Sequence, residues 1–193
     1  MRWRIKTKGF KNTAVVMMGI AAAVLLSCQN EAPKESALKR TRYPDLPLFF
    51  QQEIDSLQQA APLVEKQVQK DELTEQKRMQ IKNWETELAS FRSVDLNKAA
   101  YEGLIEIDSA GGVMEYHFQD STLDLSCVRI RLGANRMPEM ISIERDVKNS
   151  LYHTTEVLVY EKDTFYLVEK NQKVRLLGDN FYRVMGTFVP HEP

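Results

Sequence analysis

From residue 102 onward the apolar residues fall into eight short runs, and these constrain the fold more than anything else in the chain. The runs are 104–107, 113–118, 123–132, 140–147, 151–160, 165–168, 174–177 and 182–188. Between them stand Gly111-Gly112, Asp120-Ser121, Gly133-Ala134-Asn135, Lys148-Asn149-Ser150, Lys162-Asp163, Asn171-Gln172 and Gly178-Asp179-Asn180. A parallel pair of strands needs a crossover of about a dozen residues or more, and these connections are too short for one. The runs therefore predict an antiparallel meander.

Two runs carry more detail. Within 123–132 the apolar parity moves from odd (Leu123, Leu125, Cys127) to even (Val128, Ile130, Leu132), as a β-bulge would make it do. The alternation places Cys127 beside Leu123 and Leu125 on an apolar face, where a thiol is a packing group rather than a nucleophile. Residues 157–160 are apolar on both parities, so that strand is expected to be covered on both faces.

The preceding half has a different period. Asp45 can cap a helix with Pro47 in its first turn, and Leu48, Phe49, Ile54, Leu57 and Ala61 recur at roughly helical spacing up to Pro62. Residues 63–80 fit either an exposed helix or a polar hairpin turning at Lys70-Asp71-Glu72, and the broken register of Leu73 and Met79 favours the hairpin. Ile81, Trp84, Leu88 and Phe91 then follow in steps of three, four and three, a helical stripe starting near Asn83. The expected architecture is α+β: helices within 46–101 packed on one face of a curved antiparallel meander spanning 102–189.

Ahead of this domain lies a leader. Arg2, Arg4, Lys6, Lys8 and Lys11 precede an apolar run over residues 13–26. Such a run is too short to span a bilayer, which takes about 20 residues, but has the length of a secretory h-region. It ends at Leu25-Leu26-Ser27-Cys28, which resembles the lipobox of bacterial lipoproteins. The resemblance implies a signal peptide at 1–27, diacylglycerol on Cys28, and attachment to a membrane by acyl chains. Gln29 after the cysteine implies the outer membrane, by similarity to lipoproteins of diderm bacteria, and leaves the leaflet open. Residues 28–45, polar with two prolines, read as a flexible tether, and 46–193 as one domain.

Charge narrows the partners. The chain has 26 basic and 27 acidic side chains, and all five basics of the leader leave with it, so 21 face 27 and the mature charge is −6. That excess of acid disfavours nucleic acid and broad attraction to anionic lipid. Cys28 and Cys127 are the two cysteines, so a lipidated Cys28 leaves no intramolecular disulfide. His117, His153 and His191 show no metal-ligand spacing along the chain, and there is no Gly-x-Ser-x-Gly or phosphate loop. No catalytic set, metal site or cofactor is expected.

Beyond the lipobox, the chain resembles a set of Bacteroidetes-type lipoproteins to which no activity is attached. The resemblance rests on Phe49-Phe50, Pro62-Leu63-Val64, Trp84 with Glu87-Leu88 and Phe91, residues 95–99, residues 172–177, and Val184-Met185-Gly186. It implies no catalytic residue. The function expected is that of a non-catalytic binding or interaction domain, whose partner could be an envelope protein, something associated with peptidoglycan, or lipid. The alternative is a lipid or lipoprotein carrier with an apolar cavity between helices and sheet. Because neighbouring helical positions diverge by about 100°, one of Phe49 and Phe50 should enter the core while the other faces the rim as a contact residue.

Overall fold

A computed structural model describes residues 42–190. The leader, Cys28 and His191 lie outside the described residues.

Helix α1, Leu46–Ala60, begins where Asp45 accepts a hydrogen bond from the Leu48 N–H at 3.0 Å. It ends where Ala61 turns left-handed (φ 45°) and donates its N–H to the Leu57 carbonyl. Pro62 then prevents continuation. Leu46, Phe49, Phe50, Glu53, Ile54 and Leu57 are buried, a spacing that makes one stripe along the helix. Residues 63–80 form the hairpin, β1 (Leu63–Lys70) and β2 (Leu73–Gln80). Asp71 supplies the left-handed turn residue, at φ 54°. Its carboxylate and its N–H bind the N–H and the carbonyl of Phe181, each across 2.9 Å, which ties this turn to the last strand.

The stripe over residues 81–91 is buried as expected but is not one helix. It forms α2 (Trp84–Glu87) and α3 (Ala89–Arg92), broken at Leu88, whose φ of −101° and ψ of 13° leave the helical region. Asn83 caps α2 by accepting from the Thr86 N–H. A 3₁₀ turn, Ala99–Tyr101, leads into the meander.

Seven strands follow: β3 (Ile105–Ala110), β4 (Val113–Phe118), β5 (Leu125–Leu132), β6 (Pro138–Lys148), β7 (Tyr152–Glu161), β8 (Phe165–Val174) and β9 (Gly178–Phe188). All nine strands join one antiparallel sheet in the order β2-β1-β9-β8-β7-β6-β5-β4-β3. The early hairpin thus adds to the meander's C-terminal edge, and β2 and β3 form the two open edges. Every residue of β2 but Met79 is exposed, and Glu75, Lys77 and Arg78 place charge along that edge, which discourages further strand pairing.

The end of the meander differs from expectation, and Gly178-Asp179-Asn180, expected as a turn, opens β9. Residues 165–174 are a single strand, and 174–177 is no strand of its own. Asn171 and Gln172, read as a turn, pair with Thr155 and Thr154 on one side and with Phe181 and Asn180 on the other. Ladder hydrogen bonds on both sides outweigh the local turn preference of Asn, and the chain reverses at residues 175–177 instead.

The core gathers residues from both halves. The Phe50 ring lies 5.4 Å from Tyr160 and 5.3 Å from Phe91. Trp84 stacks on Phe188 at 5.8 Å and meets Tyr166 edge-on at 5.9 Å. Gly186 admits the Tyr166 ring so closely that a Cβ there would stand 2.2 Å from two ring carbons.

Candidate functional site

Hairpin turns 71–72, 149–151 and 175–177 join consecutive strand pairs along the sheet, so they stand side by side at one end of it. Each carries or adjoins an exposed leucine: Leu73 is 77% exposed, Leu151 69%, Leu176 93% and Leu177 83%. The second and third turns are joined by the Arg175 N–H, which donates to the Leu151 carbonyl at 3.1 Å. Leu151, Tyr152, Val174, Arg175 and Leu176 line one shallow depression there. Lys173, 4.0 Å from Asp179, also lines it, and Lys148 closes the β6–β7 ladder opposite His153. The result is an apolar tip with a rim of mixed charge, to which Lys148, Lys173 and Arg175 bring positive charge and Asp71, Glu72 and Asp179 negative. Single exposed leucines are ordinary on a folded protein's surface, whereas several at one end of a sheet form an apolar patch.

Phe49 and Phe50 lie elsewhere and differ from expectation. Phe50 enters the core, fully buried. Phe49 borders a surface depression with Glu53, Pro138 and Lys162 but is only 8% exposed. Its ring packs edge-on against Phe50 at 5.1 Å and Tyr160 at 6.4 Å. The outward-facing half of the expectation is therefore not met. Rotation by about 100° moves Phe49 around the helix, but aromatic neighbours still cover it.

Two largely buried carboxylates meet tyrosine hydroxyls of the sheet. Glu53 on α1 accepts from the Tyr160 hydroxyl at 2.7 Å and pairs with Lys162 at 2.5 Å. Glu87 on α2 accepts from the Tyr166 hydroxyl at 2.7 Å and pairs with Lys66 at 2.6 Å. Burial first, and the carboxylate hydrogen bond second, push both tyrosines well above their ordinary range. A phenol held protonated in this way keeps its proton near neutral pH and serves as a structural clamp.

Cys127 is buried, yet on the opposite face from the one expected. Leu125 faces Arg145 while Cys127 faces Glu144, so β5 advances two residues against one on β6 and Ser126 is the extra residue. The bulge sits one position earlier than the apolar parity implied. Val128 and Ile130 stay in the core, and Cys127 turns to the other face with Arg129. Its cross-strand partner on β4 is His117. The sulfur, the His117 ring nitrogen and a Glu115 carboxylate oxygen lie within 4.8 Å of one another. His153, on β7, bonds Asp146 at 2.6 Å instead. Three strand spacings separate β4 from β7, roughly 14 Å, so the two histidines do not converge.

Spacing along the chain does not reveal the Glu115–His117–Cys127 group, because register across two strands creates it. The leucine cluster was hidden for a related reason, as residues 174–177 read as a strand. Among the described residues no helix is long and apolar enough to cross a membrane. Comparison with protein-family models, with curated proteins and with solved structures finds no match to this chain.

Proposed function

We propose that this chain is an envelope lipoprotein, acylated on Cys28 and held at the outer membrane, whose domain acts by binding another envelope protein rather than by catalysis. The observation that carries the binding reading is the exposure of Leu151, Leu176 and Leu177 on two joined hairpin turns, with Leu73 on a third turn at the same end of the sheet. Keeping such side chains in water is unfavourable by about 25 cal/mol per Å² of apolar surface, so covering them would drive association. The mixed charge at the rim, Lys148, Lys173 and Arg175 against Asp71, Glu72 and Asp179, leaves the apolar surface as the feature a partner would recognise.

In this reading the helices form a layer on one face of a curved sheet and leave the leucine-tipped end free. The lipid-carrier alternative draws less support. It needs an apolar cavity between helices and sheet, where Leu46, Phe50, Trp84, Phe91, Tyr160 and Tyr166 are all buried, Phe50 and Phe91 packing on Tyr160 and Trp84 on Tyr166.

A photo-crosslinking residue placed at Leu176 in the living host tests the proposal, with the same residue at exposed Glu102 as control. Discrete protein adducts from position 176 alone are expected. Adducts to lipid alone, or none, would overturn the binding reading. Cys28→Ala addresses the anchor separately: it should leave unprocessed or soluble protein, and a processed, membrane-bound form of that variant would refute acylation at Cys28.

A further inference from the structure

We propose that Glu115, His117 and Cys127 form a three-ligand site for a thiophilic divalent cation, with Zn²⁺ the best fit. The geometry comes from two adjacent strands. Glu115 and His117 are two residues apart on β4, hence on one face, and the His117 Nε2 stands 3.1 Å from Glu115 Oε2. Cys127 pairs with His117 across the β4–β5 ladder, and the bulge at Ser126 turns its sulfur to that face. The three donor atoms all lie within 4.8 Å of one another. Zinc takes sulfur at about 2.3 Å and nitrogen or oxygen at about 2.0–2.2 Å, so tetrahedral ligands stand about 3.5 Å apart. Small side-chain rotations close the difference.

Charge and ligand type point the same way. Arg129 bridges Glu115, at 3.4 Å, and Glu144, the residue opposite Cys127 on β6. With the thiol ionised, Glu115, Cys127 and Glu144 oppose one arginine, leaving two negative charges that a divalent ion cancels. The Arg129 Nε and the His117 Nε2 reach the same Glu115 oxygen, at 3.4 and 3.1 Å, which fixes that carboxylate beside the imidazole and leaves its other oxygen for the ion. The ion binds the thiolate, so Cys127 gives up its proton to solvent on binding. Thiolate with imidazole selects zinc-like ions over magnesium or calcium, which require oxygen ligands. His117 and Glu115 are 42% and 34% exposed at their side chains, so an ion can enter from solvent and the fourth position stays open.

Cobalt titration of the full chain carrying Cys28→Ala, which leaves Cys127 as the sole thiol, provides the test. One Co²⁺ per chain should bind with a thiolate-to-cobalt charge-transfer band that Zn²⁺ abolishes and Mg²⁺ does not. Cys127→Ser should remove the band, and His117→Ala and Glu115→Gln should each weaken Zn²⁺ binding by tenfold or more. Far-ultraviolet circular dichroism of each variant checks the fold. If Cys127→Ser unfolds, the other two variants decide, since their side chains are partly exposed. Absence of the band, its survival in folded Cys127→Ser, or unchanged Zn²⁺ affinity in both His117→Ala and Glu115→Gln would overturn the site.

Discussion

The Tyr160 hydroxyl donates to Glu53 Oε2 across 2.7 Å, joining α1 to a strand 107 residues further along the chain. Lys162 binds the other oxygen of the same carboxylate, so Glu53 is satisfied although it is 9% exposed. Removing the carboxylate strands a buried phenol and frees a lysine. Glu53→Ala should therefore cost about 2–3 kcal/mol, the range for hydrogen bonds to charged groups with an unpaired partner left behind. Tyr160→Phe should cost less, about 1–2 kcal/mol, because Lys162 still pairs with Glu53. Urea midpoints of the two variants check the order, and equal losses would contradict it.

The tyrosine clamps also set a pH limit. Tyr160 and Tyr166 are held protonated by burial, with help from Glu53 and Glu87, so their folded pKa values lie above the unfolded value of about 10. A raised pKa contributes stability that is fully present below the unfolded pKa and is lost as pH rises beyond it. Stability should accordingly be unaffected by these groups near neutral pH and fall above about pH 10. Each tyrosine contributes a slope of up to about 1.4 kcal/mol per pH unit. Tyr166→Phe should flatten the alkaline limb of the stability curve. A limb of unchanged slope would mean that Tyr166 ionises in the folded protein.

Gly186 and Tyr166 form the tightest backbone approach in the core. A Cβ at residue 186 would stand 2.2 Å from the ring of a tyrosine that is itself fully buried, so the ring cannot swing into solvent. Gly186→Ala should destabilise by at least about 1–3 kcal/mol, the usual cost of overpacking. In a Tyr166→Leu background the same substitution should cost markedly less, and the double-mutant cycle measures that coupling. Additive losses would place the strain elsewhere.

Local signals carried much of the architecture. The Asp45 cap, Pro62 and the 81–91 stripe are all visible before folding, as are the hairpin at 63–80 and the antiparallel meander, because each depends on neighbours within a few residues. What escaped depends on register. Asn171-Gln172 reads as a turn until Thr154 and Thr155 pair with it. Cys127 reads as a core residue until Ser126 bulges and turns the sulfur towards His117. Leu176 and Leu177 read as a strand until β8 runs to Val174 and leaves them on the tip. The candidate sites sit where these long-range pairings override local preference, so along-chain periodicity could not locate them.

Exposure separates the leucines of the turn tip from Phe49 and Phe50 as contact residues. Leu176 and Leu177 are 93% and 83% exposed, so serine there removes almost no buried surface. The double variant Leu176→Ser/Leu177→Ser should keep its urea midpoint within about 0.5 kcal/mol, as surface substitutions do. Phe50 is fully buried among Phe49, Phe91 and Tyr160, and Phe50→Ser should cost about 3–5 kcal/mol through the cavity and the buried hydroxyl together. Phe49→Ser should follow it in direction, since Phe49 is covered and packs on two of the same rings. A Phe49→Ser variant as stable as the parent would restore Phe49 as a contact residue. A leucine pair that loses stability would mean that the turn tip is packed in solution and is no free docking surface.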